Sequence, residues 1–133
     1  MGTLIDTSVF IAAERGQLDV TRLAGEDEDE QLAMAAITAS ELLHGVHRVK
    51  TAVGRTRAER TVERTLSLFP VVPFDTDIAR VHARLGAELA VAGKAVGAHD
   101  LIIAATAVWL DYRIATRDLR SFPRIRGLTV VKW

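Results

Sequence analysis

Short apolar runs of strand length alternate with longer helical stretches along the whole of this chain. Helical crossovers between short apolar strands favour a parallel sheet, whereas a tight turn returns the chain antiparallel. Residues 3–5 read as the first strand and 32–36 as the second, although the Ala and Met content of the second also suits a helix. Residues 70–74, with Pro70 and Pro73, make a short third strand, and 113–116 and 128–131 follow. Helices are expected over 7–14, stopping near Gly16, over 18–24, from Thr38 toward Val49, and over 55–69, 75–92 and 100–110. Val62, Leu66 and Phe69 form one stripe at helical spacing, and Ile78, Val81, Leu85 and Leu89 form another. The 100–110 helix is apolar almost all round, as a central buried helix is, so Trp109 is expected in the core. The expected class is α/β, with a central parallel sheet.

In such a sheet, ligands bind beyond the carboxyl ends of the strands. Four acids lie at equivalent places there. Asp6 follows the first strand directly, and Glu41 sits at the start of the helix after the second. Asp100 opens the most apolar helix, and Asp118 lies just past the strand ending at Thr116. Taken singly, each acid has a structural explanation. Asp6 is a candidate helix cap, Glu41 completes a Thr-x-x-Glu capping box with Thr38, Asp100 complements a helix dipole, and Asp118 suits a turn. The functional case therefore rests on the set. Asp100 precedes Leu101-Ile102-Ile103-Ala104-Ala105 and is expected near the core, with no Lys or Arg beside it in sequence. A carboxylate in that position is costly unless paired or bound to metal. Gathered carboxylates raise one another's pKa, and a divalent cation relieves the conflict. An all-oxygen ligand set suits Mg2+ or Mn2+ rather than zinc.

The remaining totals narrow the class. At 133 residues the chain suits one domain, residues 1–133, and its zero net charge argues against gripping nucleic acid by bulk positive charge. With no cysteine, neither disulfides nor thiolate metal sites are possible. The N-terminus lacks the basic and apolar regions of a secretory leader, and residues 101–110 are too few to span a bilayer. A soluble cytoplasmic protein is expected.

The motifs resemble a known family. Leu4-Ile5-Asp6-Thr7-Ser8-Val9-Phe10-Ile11 resembles the opening of a PIN domain, and Thr38-Ala39-Ser40-Glu41-Leu42-Leu43-His44-Gly45 its second motif. His99-Asp100-Leu101-Ile102-Ile103-Ala104-Ala105-Thr106-Ala107 resembles the third. Ala115-Thr116-Arg117-Asp118-Leu119-Arg120-Ser121-Phe122 resembles the fourth, and the tail from Ile125 to Trp133 is similar to the family's ending. Within the family the chain looks most like the VapC toxins of VapBC toxin–antitoxin modules. The resemblance implies a three-layer α/β/α sandwich and an endoribonuclease using Mg2+ or Mn2+. It also implies a cognate VapB antitoxin and a homodimer. Asp6, Glu41, Asp100 and Asp118 occupy the acidic positions, with Ser8 and Thr116 where hydroxyls support such a site. The mechanism expected is hydrolysis leaving 5′-phosphate and 3′-hydroxyl ends. The rival within the same fold is a catalytically silent PIN module that binds a partner.

Other residues carry weaker signals. His44 and His47 are spaced like a zinc pair but lack further ligands, and His99 reads as a solvent-facing residue at a helix start. Arg117 and Arg120 are candidate phosphate contacts. Arg57, Arg60 and Arg64 share a helix face that either follows an RNA backbone or is solvated with local pairs to Glu59 and Glu63. The acidic run 26–30 reads as a solvated loop. A phosphatase that opens with Asp after a strand needs a second Asp two residues on, and Ser8 stands there. A glycine-rich phosphate loop is absent.

Overall fold

In the computed structural model, which describes residues 2–26 and 29–133, five parallel strands form one sheet. They are β1 (Gly2–Ile5), β2 (Gln31–Ala35), β3 (Val71–Val72), β4 (Arg113–Thr116) and β5 (Val130–Lys132). The spatial order is β3-β2-β1-β4-β5. Six helices connect them: α1 (Thr7–Glu14), α2 (Val20–Ala24), α3 (Ala36–His47), α4 (Ala52–Leu68), α5 (Thr76–Val91) and α6 (Ala98–Leu110). A single 3-10 turn, Phe122–Arg124, precedes β5. No helix among the described residues is long and apolar enough to cross a membrane.

Alternation along the strands creates the three layers. Leu4, Ala33, Ala35 and Ile114 pack with Ile78, Leu85, Leu89 and the small residues Ala104, Ala105 and Ala107 of α5 and α6. Ile5 and Met34 point the other way and pack with Val9, Phe10, Leu42, Val46 and Val62 of α1, α3 and α4. Alanines on α6 let that helix lie close on the sheet, so the core is filled by backbone proximity as much as by large side chains. Local capping agrees with the helix starts. Asp75 accepts from the Ile78 N–H at 3.0 Å, Thr51 from Gly54 at 3.1 Å, and Asp19 from Thr21 at 3.0 Å.

Three expectations change. Trp109 is 44% exposed rather than core, because α6 buries its middle, Ile103–Ala107, and its last turn emerges from the sheet. The capping box does not form. The helix begins at Ala36, two residues before Thr38, and Thr38 is fully buried inside it. The acidic run is not uniformly solvated. Residues 27 and 28 lie outside the described residues, but Glu30 is largely buried, and its carboxylate pairs with Arg113 at 2.9 and 3.1 Å. The Thr3 hydroxyl also donates to Glu30, and Arg113 Nε donates to the Thr3 oxygen at 2.8 Å. This network ties the amino ends of β1 and β4 together, at the sheet edge opposite the four acids.

The strand order puts a switch point between β1 and β4. From β1 the chain proceeds outward to β2 and β3, then crosses back to β4 and β5. Connections leave the carboxyl ends of β1 and β4 in opposite directions and open a crevice there, the usual location of a site in an open α/β sheet.

Candidate active site

Asp6 lies at the mouth of that crevice. Its N–H donates to Ala115 O at 2.9 Å, which extends the β1–β4 ladder one residue past β1 and fixes the backbone. The residue is 5% exposed. Its backbone has the conformation of a helix cap, but the carboxylate makes no cap for α1. Instead Oδ2 accepts from the Ser8 hydroxyl at 2.6 Å and the Thr116 hydroxyl at 2.9 Å. Each hydroxyl oxygen in turn accepts a backbone N–H from the loop after β4, Ser8 from Arg117 at 3.1 Å and Thr116 from Asp118 at 3.0 Å. The capping explanation for Asp6 therefore fails. Its side chain is directed across the sheet to a residue 110 positions away.

Burial pushes the Asp6 carboxyl above the ordinary aspartate range, the negative charge of Asp100 pushes it further, and the two hydroxyls oppose both. Among the described residues neither Asp6 nor Asp100 forms an ion pair with a lysine or arginine. Asp100 sits in the first turn of α6 and is half-buried, not driven into the core as expected. The loop before α6 is exposed, and only from Ile103 onward does the helix enter the interior. The desolvated acid is thus Asp6, with Asp100 as its solvent-side neighbour.

Glu41 reaches the same region from α3. Thr7 Oγ1 is 3.1 Å from its Oε1 and 3.0 Å from the Thr38 hydroxyl, and His99 Nδ1 is 3.7 Å away. Thr7 is the site residue that local pattern missed. Thr7 reads as an ordinary first-turn threonine, and His99, 57% exposed, does face solvent while leaning on Glu41. His44 and His47 stand exposed on α3.

Asp118 joins through its backbone, by way of Thr116. Its carboxylate turns to Arg120: Oδ1 accepts from Arg120 N at 3.0 Å and Nε at 2.9 Å, and Oδ2 from Nη2 at 2.8 Å. These bonds, the side-chain pair first, lower its pKa to about 2. The turn explanation for Asp118 is therefore correct as far as it goes. The negative charge of Asp100 adds, as the smallest contribution, to raising the Arg120 guanidinium pKa. Arg117 is engaged elsewhere, donating to Trp133 O at 3.1 Å. Among the described residues no three Asp, Glu or His side chains close on one point as a finished ion cage. With Arg120→Gln, the Asp118 carboxyl should titrate well above 2, nearer the ordinary range, in carbon-detected NMR. An unchanged value would show that the turn N–H alone holds it.

A cavity of about 790 Å3 between α5 and the 3-10 turn is lined by Leu85, Leu89 and Ile125 and contains none of the four acids.

The family model of the PIN domain matches residues 3–128. The chain belongs to the PIN-domain family. This PIN domain is 37% identical over 131 residues to the Ribonuclease VapC of Rickettsia bellii (strain RML369-C), covering 98% of this chain and 96% of that protein. It is 28% identical over 130 residues to the tRNA(fMet)-specific endonuclease VapC of Salmonella typhimurium, with the same coverage. Among solved structures it resembles VapBC-5 from Mycobacterium tuberculosis, a member of the VapBC family of toxin–antitoxin systems. That match has a TM-score of 0.76 and 33% identity, covering 98% and 96% of the two chains. DNA-bound VapBC from Salmonella typhimurium superposes with a TM-score of 0.90 at 26% identity, covering 100% of this PIN domain and 98% of that chain.

Proposed function

We propose that this PIN domain is a metal-dependent endoribonuclease, the toxin of a toxin–antitoxin module, restrained by a VapB-type antitoxin. What supports the reading most is Asp6, buried at the switch point without a basic partner, joined to the Asp118 loop through Thr116 and acted on by the charge of Asp100. Relatives named as VapC ribonucleases and structural neighbours solved as VapBC assemblies support it.

The donor chemistry fits a hard divalent cation. Every candidate ligand is a carboxylate oxygen, and the most desolvated carboxylate lacks a basic partner. Asp6 and Asp100 are the proposed direct ligands of Mg2+ or Mn2+, with Glu41 and Asp118 acting directly or through water. Bound there, the ion supplies Lewis acidity that lowers the pKa of water and offsets charge on the phosphate. The Ser8 and Thr116 hydroxyls hold the Asp6 carboxylate in one orientation, as outer partners do for ligating carboxylates. Thr7 does the same for Glu41. In-line attack of water on phosphorus, with departure of the 3′ oxygen, leaves 5′-phosphate and 3′-hydroxyl ends. The 2′-OH takes no part.

The test is direct. Purified protein given Mn2+ should cut RNA to 5′-phosphate products, and should still cut where the residue at the scission point is 2′-deoxy. A 2′,3′-cyclic phosphate product would rule the mechanism out. No cleavage at any divalent ion concentration would leave the silent binding module.

A further inference from the structure

The charge pattern of α4 sets three arginines side by side on its exposed face. Arg57, Arg60 and Arg64 follow one another at i, i+3 and i+7, so they are neighbours on one stripe. That stripe is opposite the buried Val62, and Val53 and Leu68, 75% and 57% exposed, extend it at either end. An exposed helix gains from opposite charges three or four residues apart and loses from like charges there. Here arginine neighbours arginine, and Glu59 and Glu63 neighbour each other on a different face. Among the described residues no ion pair forms within α4. The expected pairing with Glu59 and Glu63 is not made, although Glu63 follows Arg60 by three. Arg55 is turned away to Val49 O at 3.1 Å. The hydroxyls of Thr56, Thr61, Thr65 and Ser67 all bond back to the helix backbone, leaving guanidinium groups as the polar chemistry of the row.

We infer that the outward face of α4 is a track for the sugar–phosphate backbone of RNA, carried by Arg57, Arg60 and Arg64. The inference rests on the nuclease reading above. Charge complementarity selects the ligand. Three unpaired guanidiniums spaced over about 10 Å match a repeating anion, and guanidinium meets phosphate through paired N–H donors. With no other side-chain donor in the row, the contact is indifferent to base sequence. Arg57 and Arg60 line a shallow hollow on the outer face with Val53, Thr56 and Thr61, and Arg57 also borders a groove against α3 that holds Glu14, Leu42 and Val46.

The test reads binding without cleavage. A fluorescein-labelled, mixed-sequence single-stranded RNA is titrated with the full chain in an Asp100→Asn background, in EDTA, over a range of KCl. Replacing Arg57, Arg60 and Arg64 together by Gln should lower the slope of log K against log salt by about 2, at roughly 0.7 per phosphate on a single strand. The loss should be equal for RNAs of different sequence. The single variant Arg60→Glu guards against misfolding. It sets opposite charges beside Arg57 and Arg64, so its melting temperature should hold or rise while RNA affinity falls. A folded triple variant with parental affinity and slope overturns the track and leaves the nuclease reading untouched. So does an unchanged RNA slope accompanied by lost binding of an acidic protein partner. A slope that falls by about 2 supports the track whatever the separate cleavage assay returns.

Discussion

Replacing Asp6 by Asn is expected to reduce RNA cleavage by about a thousandfold or more, on the order of 4 kcal/mol of transition-state stabilisation, and to raise the melting temperature of the metal-free protein. The two effects have one cause. Asp6 is buried, faces the negative charge of Asp100, and has no basic partner, so its ionised form is the least comfortable charge in the fold. Asparagine keeps an oxygen to accept from Ser8 and Thr116 while removing the charge. A gain of about 1 kcal/mol would move the melting point of a chain this size by roughly 3–5 °C. A purely structural Asp6, valued for its ionised hydrogen bonds, would instead lose stability on the same change.

The pH dependence has a definite sign. The Asp6 pKa is higher in the folded state than in the unfolded chain, because burial, then Asp100, outweigh the hydroxyls. Its contribution to stability is therefore fully present at pH below the unfolded value and is lost as pH rises through the folded value. The wild-type protein without metal should thus gain relative stability on mild acidification, and Asp6→Asn should lack that component. Asp118 works in the opposite sense. With a folded pKa of about 2, its contribution is present above the unfolded value and disappears as pH falls toward 2. That contribution is small because the Arg120 partner is open to solvent. Mn2+ at a hundred times its dissociation constant should stabilise the wild type by about 2.7 kcal/mol and Asp6→Asn far less. Equal stabilisation of both proteins would remove Asp6 from the ligand set.

Much of this is legible in the sequence, and the exceptions share a physical reason. The strands at 2–5 and 113–116 are short apolar runs ended by Asp6 and by the Arg117-Asp118 turn, so composition and punctuation mark them. The acids could be assigned to one sheet edge because parallel topology makes their local positions equivalent. What escaped is whatever depends on partners distant in sequence. Glu30 resembles any residue of a solvated acidic run until Arg113 is placed beside it. Asp6 resembles a helix cap until Thr116 arrives across the sheet. The start of α3 was misplaced because Ala35 and Ala36 offer no capping side chain, while Thr38 and Glu41 have the spacing of a box. Trp109 was misplaced because a helix with little amphipathic contrast does not reveal which of its turns leaves the core.

Thr116→Val should produce the second largest effect, because a single hydroxyl joins two of the four acids. The side chain is completely buried and valine fills the same volume, so packing is preserved. Two bonds are lost. Asp6 Oδ2 loses the donor at 2.9 Å, and the Asp118 N–H loses its acceptor at 3.0 Å. Leaving a polar group without its partner costs about 1–3 kcal/mol, or roughly 3–10 °C in melting temperature for this length. Cleavage should fall about 10–100-fold, as when outer partners of a metal ligand are removed. The acid limb of the cleavage profile should also move to higher pH, since a hydroxyl that stabilises ionised Asp6 is gone. Thr116→Ser keeps the hydroxyl and should restore both the rate and the profile. Ser8→Ala should do less, because Ser8 is partly open to water that can replace it. Both hydroxyls act on the same oxygen, so the double variant should depart from additivity. A Thr116→Val protein that keeps the wild-type rate and profile would reduce this hydroxyl to filler, and Asp6 would then have to be oriented by its backbone and Ser8 alone.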